Sequence, residues 1–181
     1  MIGNDIVDLH LAKNQNVWRR KGYLAKVFNR SEQLLIHNAK DQDKMVWLLW
    51  SMKESAYKIL NRLTGERLFN PSLFACELLC GSDKKIAGNV KKSDYIFPTK
   101  SSLNENHVHT VACTKRENLN KTITFLDSYN PDYLKIFNDS NGLLLTKDNN
   151  RLPQIFDSKT SIPHPASISH HGGYLCVSYL P

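Results

Sequence analysis

Residues 43–63 read DKMVWLLWSMKESAYKILNRL. Met45, Leu49, Met52, Ala56, Ile59, Leu60 and Leu63 recur at spacings of three and four, which places them on one side of a helix. Ser51, Glu54, Lys58 and Asn61 line another side. Gly65 follows as a residue that adopts the left-handed conformation with which helices end. This is the strongest periodic segment of the chain, and the rest is read outward from it.

Upstream, residues 2–9 (IGNDIVDL) read as a short β-branched strand interrupted by acids. Residues 10–27 carry a looser helical pattern with Trp18, Tyr23, Leu24 and Val27. Asn29 with Glu32 three positions later is a capping-box arrangement, and it predicts a short helix through Leu34, Leu35 and Ile36. Downstream of Asn70 and Pro71 the period changes to that of strands, at 74–79, 86–90 and 108–114. Asn130-Pro131-Asp132 opens a short helix carrying Tyr133, Leu134, Ile136 and Phe137. Residues 143–145, 154–156, 166–169 and 174–179 read as the last strands. No internal repeat stands out. Helices early and antiparallel strands late make the class α+β, with an antiparallel sheet packed against a long helix. One domain over 1–181 is expected.

Composition narrows the function. The 181 residues are 41% hydrophobic, enough for a real apolar core. No apolar run reaches the length of a membrane span. Residues 1–5 lack a basic region followed by an apolar stretch, so no secretory leader is expected. Four cysteines without CxxC or zinc spacing fit reduced thiols in a cytoplasmic protein. The formal net charge of +7 suits a polyanionic ligand or an acidic partner. A nucleic-acid-binding domain would interleave aromatic and basic residues on one face. Here the basic clusters, Arg19-Arg20-Lys21, Lys84-Lys85 and Lys91-Lys92, are short and scattered, and no nucleic-acid partner is expected.

Three stretches carry candidate chemistry. Alternation along residues 2–9 puts Asp5 on the face of Gly3, Val7 and Leu9, where a carboxylate needs a partner or a metal unless the strand end is exposed. Glu54 and Lys58, four apart, share a helix face, either as a surface ion pair or as ligands. Residues 165–173 (PASISHHGG) bring hydroxyls and imidazoles to a Gly-Gly turn, which would serve a phosphate cradle or a plain hairpin.

Together the three are more specific than apart. Ile2-Gly-x-Asp5, then 44 residues, then Trp50-Ser-x-Lys-Glu-Ser-x-x-Lys58, resembles the signature of the 4′-phosphopantetheinyl transferases. Ser167-Ile-Ser-His170 before an apolar strand resembles their third motif. The order, with Ser-His last and Asp5 and Asp8 three apart, resembles the holo-[acyl-carrier-protein] synthase class. In the larger two-lobed enzymes the Ser-His motif comes first. Residues 81–142 match only loosely, and the chain is longer than that class, mostly in its middle.

The resemblance implies transfer of phosphopantetheine from coenzyme A to a serine of an acyl or peptidyl carrier protein, with Mg²⁺ and release of 3′,5′-ADP. It implies Asp5 and Glu54 as metal ligands, Lys58 at the same phosphates, and Lys53 at the pyrophosphate or the incoming serine. Ser169 and His170 fall to the 3′-phosphate or adenine end. Either Glu54 or a metal-bound water takes the serine proton. The synthase class builds its sites between protomers of a homotrimer and meets its carrier on the segment after the first strand, where Arg19 and Arg20 lie. A coenzyme A-binding relative without catalysis is the alternative, and the intact Asp5, Glu54 and Lys58 speak against it.

Overall fold

The computed structural model describes residues 1–157 and 162–181. Strand β1 (Ile2–Asp8) leads into helices α1 (Leu9–Gln15), α2 (Tyr23–Val27), α3 (Arg30–Asn38) and α4 (Gln42–Thr64). Four strands follow: β2 (Ala75–Gly81), β3 (Lys85–Lys92), β4 (Tyr95–Leu103) and β5 (His107–Cys113). Then come β6 (Ile123–Ser128), α5 (Tyr133–Asn141), β7 (Leu143–Lys147), β8 (Pro153–Asp157), β9 (Pro163–His171) and β10 (Tyr174–Tyr179).

The helix at the centre forms for the reasons its sequence gives. Asp41 caps it by accepting from the Lys44 N–H, and Gly65 ends it at φ 74° with its N–H on Asn61 O. Val46, Leu48, Leu49, Met52, Ala56 and Ile59 are buried against the first sheet. The Asn29–Glu32 capping box forms as expected, with both reciprocal hydrogen bonds at 2.9 Å.

The strands build two five-stranded antiparallel sheets, ordered β1-β5-β4-β3-β2 and β6-β10-β9-β8-β7. The second repeats the path of the first: a strand, a helix, then four strands, the last paired with the opening one. The repeat lies in topology and is invisible in sequence, because α4 has 23 residues and α5 only 9. Each sheet has its own core, α4 covering the first and Phe137 of α5 packing on Leu145, Ile155 and Val177 of the second.

Two strands escape the sequence pattern. β4 contains Pro98, which argues against a central strand. Its ladder to β5 begins only at Thr99, however, so at Pro98 the strand is flanked by β3 alone. β6 is an edge strand with little burial, so apolar alternation hardly marks it.

The two sheets meet along β1. The Asn4 N–H donates to Ser167 Oγ (2.9 Å), and its side-chain amide reaches Cys176 O and Ser178 Oγ. The Asp8 N–H donates to His171 Nδ1 (2.9 Å), and the Gly173 N–H donates to Asp8 Oδ2. Side chains of β9 thus occupy the edge of β1 in place of a backbone ladder. Gly3 is required there, because a Cβ would run into Ser55 O of α4.

Candidate active site

Asp5 sits at the middle of β1, opposite Thr110 of β5. Its backbone carbonyl accepts from Ser51 Oγ of α4. Burial pushes its carboxyl up to about pH 7; Lys58 opposes this and Glu54 adds to it. Oδ1 lies 3.8 Å from Lys58 Nζ, while Oδ2 is buried with no hydrogen-bond partner among the described residues. A buried, half-satisfied carboxylate is costly, so its free oxygen marks a place for a cation.

Glu54 and Lys58 stand one helical turn apart on α4 and do not form the surface pair that their spacing allows. Lys58 Nζ donates to Asn4 O (2.6 Å) and Ile168 O (3.3 Å), so it spans the seam beside Asp5. Glu54 makes no hydrogen bond or ion pair among the described residues, and burial raises its pKa against the pull of Lys58. Asp5 and Glu54 therefore form two oxygen donors near one ammonium. Among the described residues no group of three or more His, Cys, Asp or Glu gathers to hold a metal. Two carboxylates with a free buried oxygen fit Mg²⁺, which takes hard oxygen ligands and keeps positions for phosphates and water.

On β9, Ser169 follows Ile168, whose carbonyl accepts from Lys58. It is 5% exposed and its Oγ is buried without a partner. Alternation puts Ser167, Ser169 and His171 on the face toward β1. His170 lies on the opposite face, exposed, with its ring stacked on Tyr129 at 4.5 Å. His171 is the histidine that meets β1. Strand parity counted from Ser169 would have found it.

Lys53 departs from the sequence reading. Its side chain is 0% exposed and its ammonium pairs with the equally buried Glu32 at 2.8 Å. It also donates to Val27 O, Pro71 O and Phe74 O. It faces the helix–loop core rather than the pyrophosphate, because a step of one residue turns a helix by about 100° and here that turn leads inward. Glu32 completes the knot by accepting from the Cys76 N–H at 2.7 Å.

Other groups frame the site. Asp8 caps α1, accepting from His10 N and Leu11 N, and so acts through backbone contacts. His109 Nε2 lies 3.1 Å from Cys176 Sγ beneath Asn4. Burial, with help from His107 and Lys58, lowers the imidazole to about 4, and burial lifts the thiol to about 12. The pair is buried where β5 meets β10. Arg62 of α4 donates to Pro153 O and Ala166 O and ties α4 to the second sheet. Asn4, His109 and Arg62 carried no motif signal. Arg19 and Arg20 lie elsewhere, by the start of α4: Arg19 pairs with Asp43 at 3.1 Å and covers the Trp18 ring. From Asp43 to Glu54 is about 16 Å along the helix axis.

The family model of the 4′-phosphopantetheinyl transferase superfamily matches residues 1–113. That span holds β1 and α4, hence Asp5, Glu54 and Lys58. Among solved structures, the chain is similar to the crystal structure of Thermotoga maritima holo-[acyl-carrier-protein] synthase. The two share 18% identity and a TM-score of 0.44, over 90% of this chain and 83% of that one. No curated protein matches. Among the described residues no helix is long and apolar enough to cross a membrane.

Proposed function

The chain belongs to the 4′-phosphopantetheinyl transferase superfamily, and we propose that it moves phosphopantetheine from coenzyme A to a serine of an acyl or peptidyl carrier protein, as a cytoplasmic enzyme of the holo-[acyl-carrier-protein] synthase type. The observation that carries this reading is the buried Asp5 carboxylate, with one oxygen free, set beside Lys58 and Glu54.

The chemistry asked of such a site is alignment and charge neutralisation, with little covalent work by the protein. Asp5 and Glu54 would hold Mg²⁺, which supplies positive charge for the pyrophosphate of coenzyme A. Lys58 adds a point charge from the same helix face, and its position across the seam keeps it close to both sheets. Ser169 Oγ has a hydrogen bond to give to a phosphate oxygen. The carrier serine attacks the β-phosphate, the phosphoanhydride bond breaks, and 3′,5′-ADP leaves. Glu54, unpaired and with a raised pKa, is the side chain of this cluster suited to take the serine proton. His170 reaches the nucleotide end only if coenzyme A passes over the turn at Gly172.

The test is mass spectrometry of apo carriers from fatty-acid, polyketide and peptide systems after incubation with the protein, coenzyme A and Mg²⁺. Gain of the phosphopantetheine mass, with 3′,5′-ADP formed in equal amount, is the expected result. Coenzyme A binding without transfer to carriers that a control transferase loads would favour the non-catalytic alternative.

A further inference from the structure

A second cleft, of about 210 Å³, lies where β6 approaches the first sheet. Lys85, Lys100, Ser102, His109, Thr122 and Thr124 line it, and among the described residues around it none is acidic. Its strands β3, β4, β5 and β6 correspond in topology to β8, β9, β10 and β1. The last three of these meet at the seam along β1, so the cleft is the counterpart of that seam in the repeated fold.

Its chemistry differs from that of the Asp5 site. Lys85 pairs across the ladder with Ser102, which in turn pairs with His109, so these three side chains form a row on one face. Lys100 stands on the same face, two residues before Ser102, and is the diagonal neighbour of Lys85. Such neighbours lie about 7–8 Å apart, and like charges there repel. Neither ammonium has an ion-pair or hydrogen-bond partner among the described residues. Of the hydroxyls there, Thr122 Oγ1 donates to Leu119 O and Thr124 Oγ1 pairs with Ser178 Oγ, which leaves the Ser102 hydroxyl as the donor without a partner among the described residues. Two uncompensated cations and one free hydroxyl, with no carboxylate, select a compact anion. Ligand pockets for larger molecules usually span about 300–1,000 Å³, so this one has room for a phosphoryl group and not for a nucleotide.

We propose that the Lys85–Lys100 cleft is a binding site for a single phosphate group, separate from the coenzyme A site. Inorganic phosphate is the probe. Its ³¹P resonance should broaden saturably on addition of the protein, and the ring signals of His109 should shift with the same midpoint. Lys85→Gln with Lys100→Gln should weaken binding at least tenfold while leaving the melting temperature and coenzyme A affinity unchanged, since both lysines are exposed. Lys13→Gln with Lys26→Gln removes the same charge elsewhere and should have little effect. O-phosphoserine is the second arm: binding tighter than phosphate marks a phosphorylated side chain as the natural source, and weaker binding marks the free ion. The proposal is overturned by absence of saturable binding, by equal loss in both lysine pairs, or by displacement of phosphate by coenzyme A at one equivalent. Because the readout is phosphate binding, its failure leaves the transferase reading untouched.

Discussion

Asp5 carries a carboxyl that the folded chain prefers to keep protonated. Its pKa rises from 3.8 to about 7 on folding, chiefly through burial. The folded state thus binds the proton more tightly than the unfolded one, so this group's contribution to stability is present below about pH 4 and is lost as pH rises through 7. Asp5→Asn removes the charge and should stabilise the metal-free protein at pH 8, by about 2 kcal/mol after allowance for partial exposure. Thermal melts in EDTA from pH 5 to 8 should fall for the parent and stay flatter for the variant. Mg²⁺ at pH 8 should then raise the melting temperature of the parent alone. Parallel profiles would show that Asp5 neither pays the burial penalty nor meets a cation. The same variant, and Glu54→Gln, should lose transfer, whereas Asp8→Asn should do less, since Asn caps a helix as well as Asp. Lys53 tests the other half of the motif. Lys53→Met strands the buried Glu32 and should cost about 3–5 kcal/mol in urea unfolding, part of it recovered by adding Glu32→Gln. A stable but inactive Lys53→Met protein would instead restore Lys53 to the pyrophosphate.

At the scale of elements, what could be read in advance was whatever period and spacing encode. The α4 stripe, the capping box at Asn29 and the placing of Asp5, Glu54 and Lys58 depend on local pattern, and the structure brings those three side chains together. The direction of Lys53 depended on where the α3 start and the Pro71 turn would land, which is tertiary information. His170 and His171 are adjacent letters, and only strand parity separates them. β9 supplies the next measurement. Ser169→Ala should raise the apparent KM for coenzyme A severalfold and leave that for the carrier unchanged, while His170→Ala should do less to either. Equal effects of the two would mean that coenzyme A lies across both faces of β9. The turn before α4 bears on docking. Arg19 spends part of its charge on Asp43, so Arg20→Glu is the cleaner probe. It should raise the carrier KM, with a smaller effect at high salt where the Debye length shrinks to about 3 Å. A matching change in the coenzyme A KM would place the cluster at the cofactor or in the fold.

For the whole molecule, the repeated topology changes what assembly has to supply. A chain with one sheet would leave Asp5, Glu54 and Lys58 open on one side, and a neighbouring protomer would have to close it. The resemblance to the synthase class implies such a homotrimer. Here β9 and β10 of the same chain lie along β1, and Ser167, Ser169 and His171 fill the edge that a partner would cover. Lys58 and Arg62 fasten α4 to the second sheet through carbonyls of Ile168, Pro153 and Ala166. In the proposed reading the acids come from the first half and the serine from the second. This order also explains why the Ser-His motif comes last in a chain too long for one sheet. Activity should therefore persist in a monomer. Sedimentation velocity at assay concentration should give a single species near 20.7 kDa, and transfer per chain should stay constant on hundredfold dilution. Asn4→Ala supplies the internal control, since it removes two hydrogen bonds across the seam and leaves every proposed ligand in place. It should lower the rate of transfer at any dilution. If instead rate per chain falls with dilution in the parent and the active species sediments as a trimer, the neighbouring protomer, and not β9, completes the site.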